Sequence, residues 1–147
     1  PMAEKIEKMD AFHERGNMLF EEGQYARAAE QYKFALVYYE YSFPEDEATW
    51  ARIDRIRLTC HLNSAACNIK IGEWDEAKNN CYQVLQVEPE NVKALYRRGV
   101  ARTALHEHAA AHEDLIRAAR LDPRSRDVRE ALGALKAAQA LMALQGT

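Results

Sequence analysis

The chain has 147 residues, 48% apolar and 29% charged, with a net charge of −3. That length suits one domain with a real core, and the charge balance excludes a global pull toward nucleic acid or anionic membrane, so any basic site has to be local. Ala, Leu, Glu, Lys, Arg and Gln dominate, β-branched residues are sparse, and four prolines and six glycines are widely spaced, which predicts helix almost throughout.

Residues 4–22 form the first helical pattern, with Ile6, Met9, Phe12, Leu19 and Phe20 on an apolar stripe. Gly23 ends it. Residues 25–41 follow, with Tyr25, Ala28, Ala29, Tyr32, Ala35 and Leu36 at helical spacing, so the two helices form an antiparallel hairpin. Pro44 breaks the chain by disfavouring helix at Phe43. A long helix is expected over 47–71, ended by Gly72, and its partner over 73–87, with Trp74, Ala77, Cys81, Val84 and Leu85 inward. Residues 92–105 and 108–121 make the third hairpin, with a break near His106. A last helix over 126–144 carries Val128, Leu132, Leu135, Ala138 and Leu141 on one face.

These hairpins repeat. Trp74 and His108, Ala77 and Ala111, and Pro89 and Pro123 are each 34 residues apart. Tyr25 to Trp74 spans 49 positions, leaving 15 extra residues that lengthen the second and third helices. Ala28, Ala77 and Ala111 let helices approach closely, and Tyr25 and Trp74 fill the space beside them. A period of 34 with one helix-turn-helix per unit resembles a three-repeat tetratricopeptide (TPR) domain over about residues 10–123. The resemblance implies an all-α fold: three repeats at 8–41, 47–89 and 91–123 in a right-handed superhelical stack, with a seventh, capping helix at 126–144. The whole of 1–147 reads as a single domain.

In such a stack the first helix of each hairpin lines the concave side. The polar residues placed there are His13 and Asn17, then Asn63, then Lys93 and Arg97, the last two one helical turn apart. Two cations with amide donors suit carboxylates, and a C-terminal Asp carries two. HERGN, HLNSAAC, KALYRRG and the YYEYSF insertion resemble FKBP-type immunophilins and the aryl-hydrocarbon-receptor-interacting-protein group. The resemblance implies a co-chaperone module that holds the C-terminal Glu-Glu-Val-Asp tail of the 90-kDa heat-shock chaperone, and in some such domains that of the 70-kDa one. It implies a two-carboxylate clamp of Asn17, Asn63, Lys93 and Arg97, with Phe20 against the peptide's apolar residue. His13 departs from the Lys usual at the clamp's first position. Without that charge-assisted bond, binding would be weaker by roughly 1.5–3 kcal/mol. An adjacent ligand carboxylate should favour imidazolium, so binding is expected to tighten as pH falls from about 7.5 toward 6.

Other readings are weaker. HEHAAAH places His108 and His112 at a metal-compatible spacing, but His108 stands at the bulky turn position of Trp74, so packing is expected and no metal. Arg117, Arg120, Arg124, Arg126 and Arg129 interleave with Glu113, Asp114, Asp122, Asp127 and Glu130, which reads as a solvated, ion-paired surface without nucleic acid. Cys60, Cys67 and Cys81 read as buried, reduced thiols of a cytosolic protein that can also be nuclear. No membrane span, catalytic constellation or cofactor is expected, and a monomer is. Pro1-Met2 looks like an expression scar, with an isomerase domain expected upstream. The rivals are a TPR scaffold for another partner or an internal peptide, a metal protein built on the histidines, and self-association through the long helices.

Overall fold

The computed structural model describes residues 1–146. Among these, seven helices run in order: α1 (Met2–Glu21), α2 (Tyr25–Glu40), α3 (Glu47–Ile71), α4 (Trp74–Val87), α5 (Val92–Ala104), α6 (His108–Leu121) and α7 (Arg126–Gln145). Local chemistry sets their ends. The Asp46 carboxylate accepts from the Thr49 hydroxyl and from the Thr49 backbone N–H, each at 2.9 Å, which caps α3 and holds the Asp46 carboxyl below its usual range. Asn91 and Ser125 cap α5 and α7 in the same way, accepting from Ala94 N at 2.9 Å and Val128 N at 3.2 Å. Gly72 ends α3 in the left-handed conformation, φ 76°. His106, one period later, adopts the same conformation at φ 61°, although it carries a Cβ.

The chain divides into two compact units, residues 1–72 and Glu73 onward. In the first, α1 packs on α2 and both meet α3. Gly16 makes the α1–α2 approach possible, because a Cβ there would lie 2.6 Å from Tyr32 Cε1. Tyr32, Ala28, Leu19, Ala35, Cys60 and Cys67 form the core beside it. The extra residues fall almost wholly on α3, which has 25 residues against 13 in α5, while α2 has 16 against 14 in α6. The added turns are used: α1 starts at Met2, ahead of the expected repeat boundary at 8, and buries Ile6 and Met9 with Ile53 of α3. Tyr39 Oη donates to Asp54 at 2.6 Å, and the Arg57 guanidinium lies over the Tyr39 ring.

In the second unit α5 packs on α6, and α7 covers both. Gly99 lets α5 meet Leu115, and Ala111, Leu115, Ala131 and Leu135 are buried together. Two expectations are corrected here. The inward stripe of α7 runs Val128, Ala131, Leu135, and Leu141 is 57% exposed, on the exposed last turns of the helix. Asp114 does not belong to a solvated surface. It is 5% exposed and accepts from Arg98 Nε at 2.9 Å, Arg98 Nη2 at 2.8 Å and Arg102 Nη1 at 2.8 Å. Arg98 and Arg102 are one turn apart on α5, so a single α6 carboxylate engages both and fixes how the two helices face each other.

Candidate peptide-binding site

The amides of Asn17 on α1 and Asn63 on α3 are 46 residues apart in sequence and meet in the first unit: Asn63 Nδ2 donates to Asn17 Oδ1 at 3.1 Å. The Tyr32 hydroxyl of α2 donates to the same oxygen at 2.5 Å. Three helices thus converge on one acceptor atom. Asn17 and Asn63 are both half-buried, while Tyr32 is buried. Burial pushes the Tyr32 phenol well above its ordinary pKa, reinforced by Cys67 and Cys60 and opposed by a hydrogen bond from Asn63. The phenol therefore keeps its proton and acts as a donor. With its oxygen doubly bonded, the remaining polar end of Asn17 is its amide nitrogen, a donor suited to an anion.

His13 lies one turn before Asn17, half-buried, with its ring 6.0 Å from that of Tyr32. Its Nε2 is buried without a hydrogen-bond partner. Burial holds the imidazole below its usual pKa, although Asp10 and Glu14 pull the other way. At neutral pH this residue therefore brings no cation. Phe20, one turn after Asn17, is half-buried edge-on to Tyr25, with ring centroids 5.0 Å apart.

In the second unit Lys93 and Arg97 lie one turn apart on α5, Lys93 exposed and Arg97 half-buried. The Asp114 network on the neighbouring positions anchors the helix that carries them. A concavity at the α4–α5 turn, lined by Glu88, Pro89, Glu90, Asn91 and Arg117, contains none of the candidate residues. Its two carboxylates, Glu88 and Glu90, would repel an acidic peptide.

His106 and His108 face each other edge-on at 5.8 Å, and His108 is half-buried at the turn. Among the described residues no cluster of three or more His, Cys, Asp or Glu is placed to hold a metal, and no helix is long and apolar enough to cross a membrane. Cys60, Cys67 and Cys81 are buried free thiols, and burial pushes Cys60 and Cys81 up to about 12. Sequence reasoning missed Tyr32 as part of the site. Its helical spacing already explained it as core, and only the choice of Tyr over Phe carried a signal.

No protein-family model matches the chain. Among curated proteins it is 36% identical over 122 residues to peptidyl-prolyl cis-trans isomerase FKBP4 of Bos taurus; the match covers 82% of the chain and 26% of that protein. The chain thus spans about a quarter of that relative's length. Among solved structures it is similar to the C-terminal TPR-containing domain of a Plasmodium falciparum FK506-binding protein, with TM-score 0.90, 28% identity and coverage of 100% of this chain and 97% of that one. It is also similar to the second TPR domain of human RPAP3, solved with the HSP70 peptide SGPTIEEVD, with TM-score 0.70, 26% identity and coverage of 92% and 98%.

Proposed function

From the premise that this chain is a TPR domain similar to those of FKBP-type immunophilins, we propose that it is a peptide-binding module for the C-terminal Glu-Glu-Val-Asp tail of a heat-shock chaperone. The 90-kDa chaperone is the first partner and the 70-kDa one the second. Asn17 and Asn63 donate to carboxylate oxygens of the terminal Asp. Lys93 and Arg97 supply charge to the same peptide, Lys as a point charge and Arg as a planar fork. Phe20 meets the peptide's apolar residue. His13 adds at most one hydrogen bond as neutral imidazole, which lowers affinity relative to a lysine there.

The observation that carries this reading is the Asn63–Asn17 contact at 3.1 Å. It brings two amides from separate helices to one place, with the oxygen of Asn17 already satisfied and its nitrogen left to meet an anion. The similar human domain solved with a peptide ending in Glu-Glu-Val-Asp supports the ligand class. In this reading the module works as a monomer in the cytoplasm and tethers an isomerase domain of the parent protein to the chaperone.

Calorimetric titration with acetylated Met-Glu-Glu-Val-Asp tests the proposal. Micromolar 1:1 binding that Lys93→Ala/Arg97→Ala abolishes is expected, and an Ile-Glu-Glu-Val-Asp peptide measures the chaperone preference. Binding that survives the double substitution would overturn the clamp. Preference for an internal sequence would make the domain a scaffold for another partner.

A further inference from the structure

An asparagine amide has nearly the same size and shape at both ends, so sterics alone do not decide which end faces a ligand. Its hydrogen-bond partners do. At Asn17 the oxygen end meets two donors, Tyr32 Oη at 2.5 Å and Asn63 Nδ2 at 3.1 Å. Turning the amide over would set its nitrogen against the nitrogen of Asn63, donor against donor. The Tyr32 proton would lose its acceptor inside a buried site, an expensive state for any polar group. Tyr32 itself is held firmly. It is 1% exposed, and its ring lies so close to Gly16 that a Cβ there would meet three ring atoms at 2.6–2.9 Å.

We propose that Tyr32 is a positioning residue for the clamp: its hydroxyl fixes the Asn17 amide with nitrogen toward the ligand and so makes the site select a peptide C-terminal carboxylate over a carboxamide. This rests on the clamp reading above and deepens it. A carboxylate presents only acceptors and matches the Asn17 nitrogen in any rotation. A carboxamide has one acceptor and one donor end, so it must align its oxygen with Asn17 and place its NH2 elsewhere in a site rich in donors. Without the Tyr32 hydroxyl, Asn17 loses one of the two donors that fix its oxygen. It can then turn that oxygen toward a carboxamide, and the preference narrows.

The test titrates the unmodified protein, Tyr32→Phe and Asn17→Asp with acetylated Met-Glu-Glu-Val-Asp as free acid and as C-terminal carboxamide, following each by calorimetry. Phenylalanine keeps the ring against Gly16. Tyr32→Phe is expected to bind the acid about three- to tenfold more weakly, with a smaller change for the carboxamide, so the acid-to-amide ratio falls. An unchanged affinity, or an equal loss for both peptides as a purely structural role would give, overturns the inference. If Tyr32→Phe does not fold, Asn17→Asp tests the orientation of the Asn17 amide on which the role of Tyr32 depends. Its carboxylate keeps the bonds from Tyr32 and Asn63 but offers charged oxygen outward, so both acidic peptides should bind more weakly, the acid about tenfold or more and the carboxamide by less. Equal losses there overturn the inference as well. If the unmodified protein binds neither peptide, the clamp reading fails and takes this inference with it. If it binds the acid and Tyr32→Phe matches it in affinity and ratio, only the role of Tyr32 fails.

Discussion

Asp114 and Arg98 form a two-pronged ion pair, with Nε and Nη2 of the guanidinium 2.9 and 2.8 Å from the two carboxylate oxygens. The pair is shut away from solvent on the Asp114 side, and the same carboxylate also receives Arg102. The bond holds Arg98 above its ordinary pKa despite burial. Removing one partner of such a pair leaves an uncompensated charge. Asp114→Ala should therefore destabilise the protein by about 3–5 kcal/mol, measured by urea denaturation. A loss below about 1 kcal/mol would place the pair among ordinary surface bridges.

Gly16 sets two effects against each other. Alanine is better than glycine in a helix by about 1 kcal/mol. Against that, its Cβ would stand 2.6 Å from the Tyr32 ring, which has no room to retreat. Overpacking of this kind costs about 1–3 kcal/mol, so Gly16→Ala should be net destabilising and should weaken peptide binding by shifting Tyr32. A thermal melt that rises on this substitution would mean the α1–α2 contact is looser than described.

His106 and Gly72 share a backbone conformation but not a residue type. A left-handed residue with a Cβ costs roughly 1–2 kcal/mol relative to glycine. His106→Gly should raise stability by about 1 kcal/mol, and Gly72→Ala should lower it by a similar amount. Opposite shifts in the denaturation midpoint are the expected result. Parallel shifts would contradict the assignment of the two turns as equivalents.

The pH behaviour follows from His13. Burial lowers its pKa below the ordinary 6.5, so the unfolded chain binds that proton more tightly than the folded one. The folded state is then penalised as pH falls through 6.5 and below, and the penalty is absent above it. His13→Gln should flatten that part of the stability curve. The same burial shifts toward lower pH the window in which a ligand carboxylate can recruit imidazolium, relative to the 7.5–6 range expected from sequence. Peptide affinity should be flat from pH 8 to 7 and rise only below that. A rise already complete at pH 7 would mean another group titrates.

Much of the fold is legible in the sequence wherever a residue has one physical reason to be there. Gly23, Gly72 and Pro44 mark helix ends by turn or breaking chemistry, and the 34-residue spacing of Ala77 and Ala111 marks the repeat. Both alanines are fully buried. Residues with two possible reasons are harder. Asp114 sits among surface-like charges in sequence, and only the spacing of Arg98 and Arg102 one turn apart hints at a shared buried partner. Tyr32 is fully explained as core until the Asn17 oxygen is found 2.5 Å from its hydroxyl. The Asn17–Asn63 contact joins helices 46 residues apart, a distance at which periodicity says nothing about side-chain orientation.

The most direct measurement of the central claim is a titration of 15N-labelled protein with acetylated Met-Glu-Glu-Val-Asp, following side-chain and backbone signals by NMR. The side-chain amides of Asn17 and Asn63 and the α5 signals around Lys93 and Arg97 should shift together and saturate at one peptide per chain. If those signals stay still while Glu88, Asn91 and Arg117 move, the peptide binds elsewhere and the clamp account is wrong.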